Sequence, residues 1–246
     1  MKYVLIALSV FIAGTANAQT CIIIYVSGKT ITAGADRKYQ QTLANTDVTT
    51  GKQQKSRSVY YGKKIFTSKN GYWAFSGADY YDTIHAICKE VISGKGSLAQ
   101  IVKRFEKRLE ANTVKKAMHD LFLISDEKQK TRFKGNFAEV AFFKFDGNNY
   151  KCYRMTISMP GIFNGNERLR LETDSIVAGS RTLGVFVLGH STAFGNNIHP
   201  EKWSDPAGTI RKLIRQQAEY TPDDVSAASD VIRITKEKFT WVTSQK

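Results

Sequence analysis

Cysteine is scarce, with three in 246 residues. That is too few for a disulfide-stapled scaffold, and the odd count leaves at least one thiol unpaired within a chain. Histidine numbers four, and neither Cys-x-x-Cys nor His-x-x-x-His spacing occurs, so no structural zinc site is expected. The sequence has no Gly-x-Ser-x-Gly elbow, no Walker-type phosphate loop, no His-Glu-x-x-His helix and no dinucleotide glycine fingerprint. Proline is also rare, at four residues, and glycine numbers 18. With 42% hydrophobic residues this is the composition of a folded globular chain, neither collagen-like nor disordered. Acid is in deficit, 36 Lys+Arg against 22 Asp+Glu, for a formal charge of +14. The basic residues spread over the helical patterns and a polar stretch without a clear aromatic-interleaved patch. They read as solvated lysine faces, and no specific nucleic-acid partner is expected.

Long apolar runs are missing too, beyond one short run at the start. Met1-Lys2 is followed by the apolar run Val4–Gly14 and then by Ala16-Asn17-Ala18, small residues at the two positions a signal peptidase reads. The run is about half the roughly 20 residues needed to span a bilayer. Residues 1–18 therefore read as a secretory signal peptide and 19–246 as a single exported domain, secreted or periplasmic, with no membrane span. Export would permit a Cys88–Cys152 bridge, and whether the two meet is left open.

Along that domain, Cys21–Val26 and Thr30–Ala35 flank a Ser27-Gly28-Lys29 turn and predict a hairpin. Residues 39–62 are polar and read as a long loop or a poorly ordered excursion. Ile65–Ser68 and Tyr72–Phe75 flank an Asn-Gly turn, a second hairpin signal. Apolar residues at helical spacing predict a helix from Tyr81 to Val91 and another from Leu98 to Leu109. Strands are expected at Glu139–Phe145, Tyr150–Ile157 and Ser175–Ala178. Helices are expected at about Thr182–Ala193 and Ala207–Tyr220, with a short one opened by Asp223 and Asp224. Val231–Ile234 and Phe239–Val242 predict a closing hairpin. Segregated runs of strands and helices point to an α+β fold in which antiparallel sheets are covered by helices.

The residue that draws chemistry is Thr20, which opens the first strand beside the processing site. If the peptide bond before it is cut, Thr20 carries both a hydroxyl nucleophile and a free α-amine. An α-amine titrates near 7.7–8, which suits a general base at neutral pH, and a threonine hydroxyl needs such a base. A buried lysine held by an aspartate would keep that amine deprotonated, because like charge disfavours its protonation. Cys21 is the alternative nucleophile, one residue along.

Thr20–Asp36 (TCIIIYVSGKTITAGAD) resembles the N-terminus of proteasome β-type subunits and their bacterial proteasome-like relatives, the threonine branch of the N-terminal nucleophile hydrolases. The family places its threonine and an aspartate sixteen positions apart, the separation of Thr20 and Asp36 here. Gly62-Lys63-Lys64-Ile65 and Phe75-Ser76-Gly77-Ala78-Asp79 follow in the family's order. The resemblance implies a four-layer αββα sandwich and an amidohydrolase or peptidase without cofactors. It makes Thr20 the nucleophile, with Asp36 orienting Lys64, or Lys63 as the alternative. The Gly77 N–H becomes an oxyanion donor. Ala178-Gly179-Ser180 fits a Gly-Ser that starts a helix, and Asp224 fits a later site aspartate, so Ser180 and Asp224 join the set. The resemblance further implies a peptide or amide substrate and a homo-oligomeric ring. Three features depart from the pattern. The stretch from Asp36 to Lys64 is longer than usual, Val225-Ser226-Ala227-Ala228 replaces a Ser-Gly-Gly-like segment, and the leader is secretory. Signal-peptidase cleavage after Ala18 would leave Gln19 blocking the amine, so its removal needs a shifted cut, an N→O acyl shift or trimming. The rival readings are a catalytically inactive assembly subunit of the same fold and a basic envelope-binding module.

Overall fold

The computed structural model describes residues 11–18, 20–46, 53–79, 83–125, 127–165, 168–179, 182–195 and 198–242. Their strands are β1 (Phe11–Ala18), β2 (Cys21–Ser27), β3 (Ile31–Asp36), β4 (Lys38–Thr46), β5 (Gln53–Tyr61), β6 (Ile65–Ser68) and β7 (Gly71–Asp79). After the helices come β8 (Ala138–Asp146), β9 (Asn149–Ser158), β10 (Arg170–Ala178), β11 (Leu183–Gly189), β12 (Ser229–Ile234) and β13 (Phe239–Trp241). The helices are α1 (Thr83–Ser93), α2 (Leu98–Leu109), α3 (Asn112–Ile124), α4 (Glu127–Lys134) and α5 (Pro206–Tyr220). All strand pairs are antiparallel, in a fold of mixed α and β structure. The larger sheet runs β10-β9-β8-β7-β1-β4-β5, with β6 also on β7, and the smaller runs β11-β2-β3-β12-β13.

Period-two alternation sorts the strand residues into separate cores. Ile22, Ile24 and Val26 of β2 join Ala33 and Ala35 of β3 and Ala141 and Phe143 of β8 in a core between the sheets. The intervening Cys21, Ile23 and Tyr25 face the other way, onto Ile210, Ile214 and Ala218 of α5. Covered on both faces, β2 reads as an unbroken apolar run. Gly34 is needed where α5 crosses β3, since a Cβ there would run into the Ile210 side chain. A third core lies on the far face of the larger sheet, where Ile84, Cys88, Ile101, Phe105, Met118 and Phe133 of α1–α4 meet Phe75, Val140 and Phe142. Helix α2 starts at a reciprocal cap: Gln100 N–H donates to Ser97 Oγ and Ser97 N–H to Gln100 Oε1.

Several expectations are corrected. Residues 39–46 and 53–61 are strands and not a loop or a poorly ordered excursion, because β4 and β5 form a ladder from Lys38↔Tyr61 to Thr46↔Gln53; the rest of that stretch, 47–52, lies outside the described residues. Backbone pairing needs no apolar face, so polar strands leave little period-two signal. Thr182–Ala193 is not helical: β11 pairs with β2 over Leu183↔Ser27 to Gly189↔Cys21, a tertiary partner overriding local spacing. Residues 222–224 form a turn instead of a helix start. Helices α3 (Asn112–Ile124) and α4 (Glu127–Lys134) lie where no element was expected. Strand β10 begins at Arg170, earlier than Ser175. Cys88 and Cys152 lie in different cores and all three cysteines are free thiols. Among the described residues no helix is long and apolar enough to cross a membrane.

Candidate active site

Three of the predicted site residues meet at one end of the smaller sheet. Thr20 stands just before β2, its carbonyl accepting from the His190 N–H at 2.7 Å, one step beyond the Cys21↔Gly189 pair. Asp36 ends β3, and Lys64 leads into β6. Lys64 Nζ lies 2.6 Å from Thr20 Oγ1, 2.9 Å from Asp36 Oδ1 and 3.0 Å from Asp36 Oδ2. A lysine ammonium has three protons, and here three acceptors stand within reach. Thr20 and Asp36 are fully buried and Lys64 is 1% exposed. Lys63, the alternative, points elsewhere, with its ammonium over the Trp241 ring.

Asp36 is held from several sides. Its Oδ1 also accepts from Cys21 N–H at 2.9 Å, and its Oδ2 accepts from Lys38 N–H at 3.0 Å and Ser226 N–H at 3.3 Å. These donors orient a buried carboxylate and offset the loss of its hydration. Burial pushes the Lys64 ammonium below the ordinary lysine range, although the Asp36 charge pulls the other way. A lysine so placed gives up its proton more readily than an exposed one while still touching a hydroxyl. The Tyr39 ring lies 5.0 Å from Lys64 Nζ, and Tyr39 Oη–H donates to the Lys63 carbonyl. Burial first, and then the Asp36 charge, raise the Cys21 thiol far above the usual range. The side chain sits in the core under α5, so it is a poor candidate nucleophile.

The other predicted residues lie on neighbouring segments. Gly77 lies on β7, paired with Ala18 of β1. It has φ +121°, and a Cβ there would collide with the Phe137 carbonyl. Asp224 lies beside His190, with Oδ2 3.8 Å from Nε2. Ser180 lies outside the described residues, and the segment after it enters β11, not a helix.

Sequence reasoning missed three contributors. His190 was not among the predicted site residues, yet its N–H holds the Thr20 carbonyl. Ser226 sits in the segment that looked degraded, but its backbone N–H reaches Asp36, and its hydroxyl accepts from Arg37 N–H. Backbone donation does not depend on side-chain identity, which is why the pattern concealed it. Glu139 is buried on β8 and accepts from Gly189 N–H at 2.6 Å. Burial raises its carboxyl, opposed by that hydrogen bond and by Arg154. Gly189 itself has φ +79°, and a Cβ would strike the Thr20 carbonyl. Among the described residues no group of three or more His, Cys, Asp or Glu side chains is gathered in a metal-binding arrangement. No protein-family model matches the chain. No curated protein matches it either.

Proposed function

We propose that the chain is an exported threonine-nucleophile amidohydrolase or peptidase with the four-layer αββα architecture of the N-terminal nucleophile hydrolases. The single observation that carries the reading is the Thr20–Lys64–Asp36 contact set, buried beside the predicted processing site. Two antiparallel sheets packed face to face, with helices on the outer face of each, support the architecture.

Once the bond before Thr20 is cut, the Thr20 α-amine takes the Oγ proton as Oγ attacks an amide carbonyl. Lys64, oriented by Asp36, lowers the energy of the developing alkoxide and keeps the neighbouring amine deprotonated. The Oγ–C bond forms, the tetrahedral oxyanion faces the Gly77 N–H, and the C–N bond breaks as the leaving amine takes the proton. Water then cleaves the acyl ester and restores Oγ–H. In the uncut chain β1 lies antiparallel between β7 and β4 and ends beside Thr20, the course an extended acyl segment would take.

The test is the intact mass of the exported protein before and after treatment with a peptide epoxyketone, which reacts with an N-terminal threonine. A chain beginning at Thr20 with one adduct, absent in Thr20→Ala, is expected. A stable Gln19 start without an adduct would falsify the reading.

A further inference from the structure

The β4–β5 hairpin is the covalent connection between Asp36 and Lys64. Strand β4 starts two residues after Asp36, and β5 ends three residues before Lys64. Its base is fastened at the site: Lys38 N–H donates to Asp36, Lys38 Nζ donates to the Pro222 carbonyl at 2.6 Å, and Gln40 Nε2–H donates to the Asp223 carbonyl. Beyond that base, β4 is covered on one edge by β5 and on the other by β1. On the other side of β1, the contact with β7 is short. Only Ala16, Asn17 and Ala18 pair with it, opposite Asp79, Ala78 and Gly77, because β6 takes the lower half of the same β7 edge. The contact with β4 is long, from Asn17↔Gln40 to Phe11↔Asn45 with a register shift between Ile12 and Thr15. Counted back from Thr20, the second to fourth residues pair with β7, while the fifth, eighth and ninth, Thr15, Ile12 and Phe11, are registered on β4 alone, on either side of the register shift.

A cut before Thr20 detaches β1 and leaves the β4 edge as a row of unpaired backbone donors and acceptors. Resting on the proposed peptidase reading, we infer that this edge is a template for the acyl side of the substrate. It pairs an extended polypeptide out to about the ninth residue before the scissile bond. The preferred substrate class is therefore an extended polypeptide, not a small amide or a tripeptide. Recognition runs mainly through the backbone, as in strand addition to a sheet edge, and is tolerant of side-chain sequence. The three further registered positions, Thr15, Ile12 and Phe11, give at least about tenfold in binding.

The test uses the exported, processed protein and a variant in which residues 42–57 are replaced by Asn-Gly. That two-residue turn closes the hairpin directly on the registered pair Gln41↔Ser58 and leaves the fastened base in place. Fluorescence polarisation compares a labelled nonapeptide of leader sequence 11–19 with the tetrapeptide 16–19. The same two peptides, as C-terminal coumarin amides, give kcat/KM. In the native chain the nonapeptide binds at least about tenfold more tightly and is cleaved correspondingly faster. In the shortened hairpin the ratio of long to short falls to about one. Equal binding of both peptides by the native chain overturns the inference, as does a ratio that survives shortening or a leader that stays attached and keeps the edge filled. Length-dependent binding without epoxyketone acylation of Thr20 would sink the peptidase reading alone and leave the template edge standing.

Discussion

At the residue scale the site rests on one buried pair. Lys64 and Asp36 have no exposed side-chain surface, so each is the main compensation for the other's lost hydration. Lys64→Met removes the ammonium and leaves the carboxylate with backbone donors only. The expected loss is about 3–5 kcal/mol in urea unfolding, with kcat/KM down by about a hundredfold or more. A variant of native stability would show that the pair is not ionised together. The pH dependence has a definite sign. An unfolded lysine keeps its proton to about 10.4, while burial lets folded Lys64 lose it sooner. Between those two values the unfolded state binds more protons, so native stability rises with pH relative to Lys64→Met. Urea midpoints of the two proteins across the alkaline range read this directly, and a difference that shrinks with pH contradicts the depressed lysine. The grouping of Thr20, Asp36 and Lys64 was legible because the resemblance carries those side chains at a strand start, a strand end and before a hairpin, and the structure brings the three together. His190, Ser226 and Glu139 were not, because the first two act through backbone N–H groups and the third through a contact between sheets.

At the scale of elements, three hairpins were legible: β2–β3 and β6–β7 by their Gly turns, and β12–β13 by two short runs flanking Lys236-Glu237-Lys238. So were α1, α2 and α5, each with one apolar face. The misread strands share one physical origin. Strand β11 (LGVFVLG) carries spacing that also suits a helix, and only its pairing with β2 decides the matter. Strands β4 and β5 are polar, and only their ladder makes them strands. Long-range partners of this kind leave no local signal. The turn after β11 is the element that brings His190 to Thr20, and Gly189 is its pivot. Gly189→Ala places a Cβ against the Thr20 carbonyl at a positive φ. We expect a loss of at least about 2 kcal/mol and of acylation at Thr20. Gly147→Ala has the same kind of positive φ, +60°, but open space around it. It should cost only about 1 kcal/mol and leave acylation intact. Equal penalties for the two would mean that φ alone matters and that the turn does not position Thr20.

At the scale of the whole molecule, the two sheets divide the interior into three cores, and each core holds one thiol. Cys88 lies under the helices of the larger sheet, Cys152 between the sheets and Cys21 beneath α5. All three are buried and unpaired. Burial raises each thiol above its usual range, so none presents a reactive thiolate while its core is closed. The cores are not independent, because β8 sends Val140 and Phe142 into one and Ala141 and Phe143 into the next. Strand β2 likewise splits its residues between the second core and the third. Opening one core strips an apolar face from a sheet that the neighbouring core needs, which makes the molecule a single cooperative unit. Pulsed labelling with a maleimide across a urea series, followed by mass mapping of each cysteine, reads the three cores separately. Native protein should take no label, and unchanged unfolding in reductant should accompany it, since no bridge exists to break. In urea the three cysteines should become reactive along one curve with a common midpoint. Cys88 labelling while Cys21 and Cys152 stay protected would show instead that the layer formed by α1–α4 lifts from the larger sheet on its own.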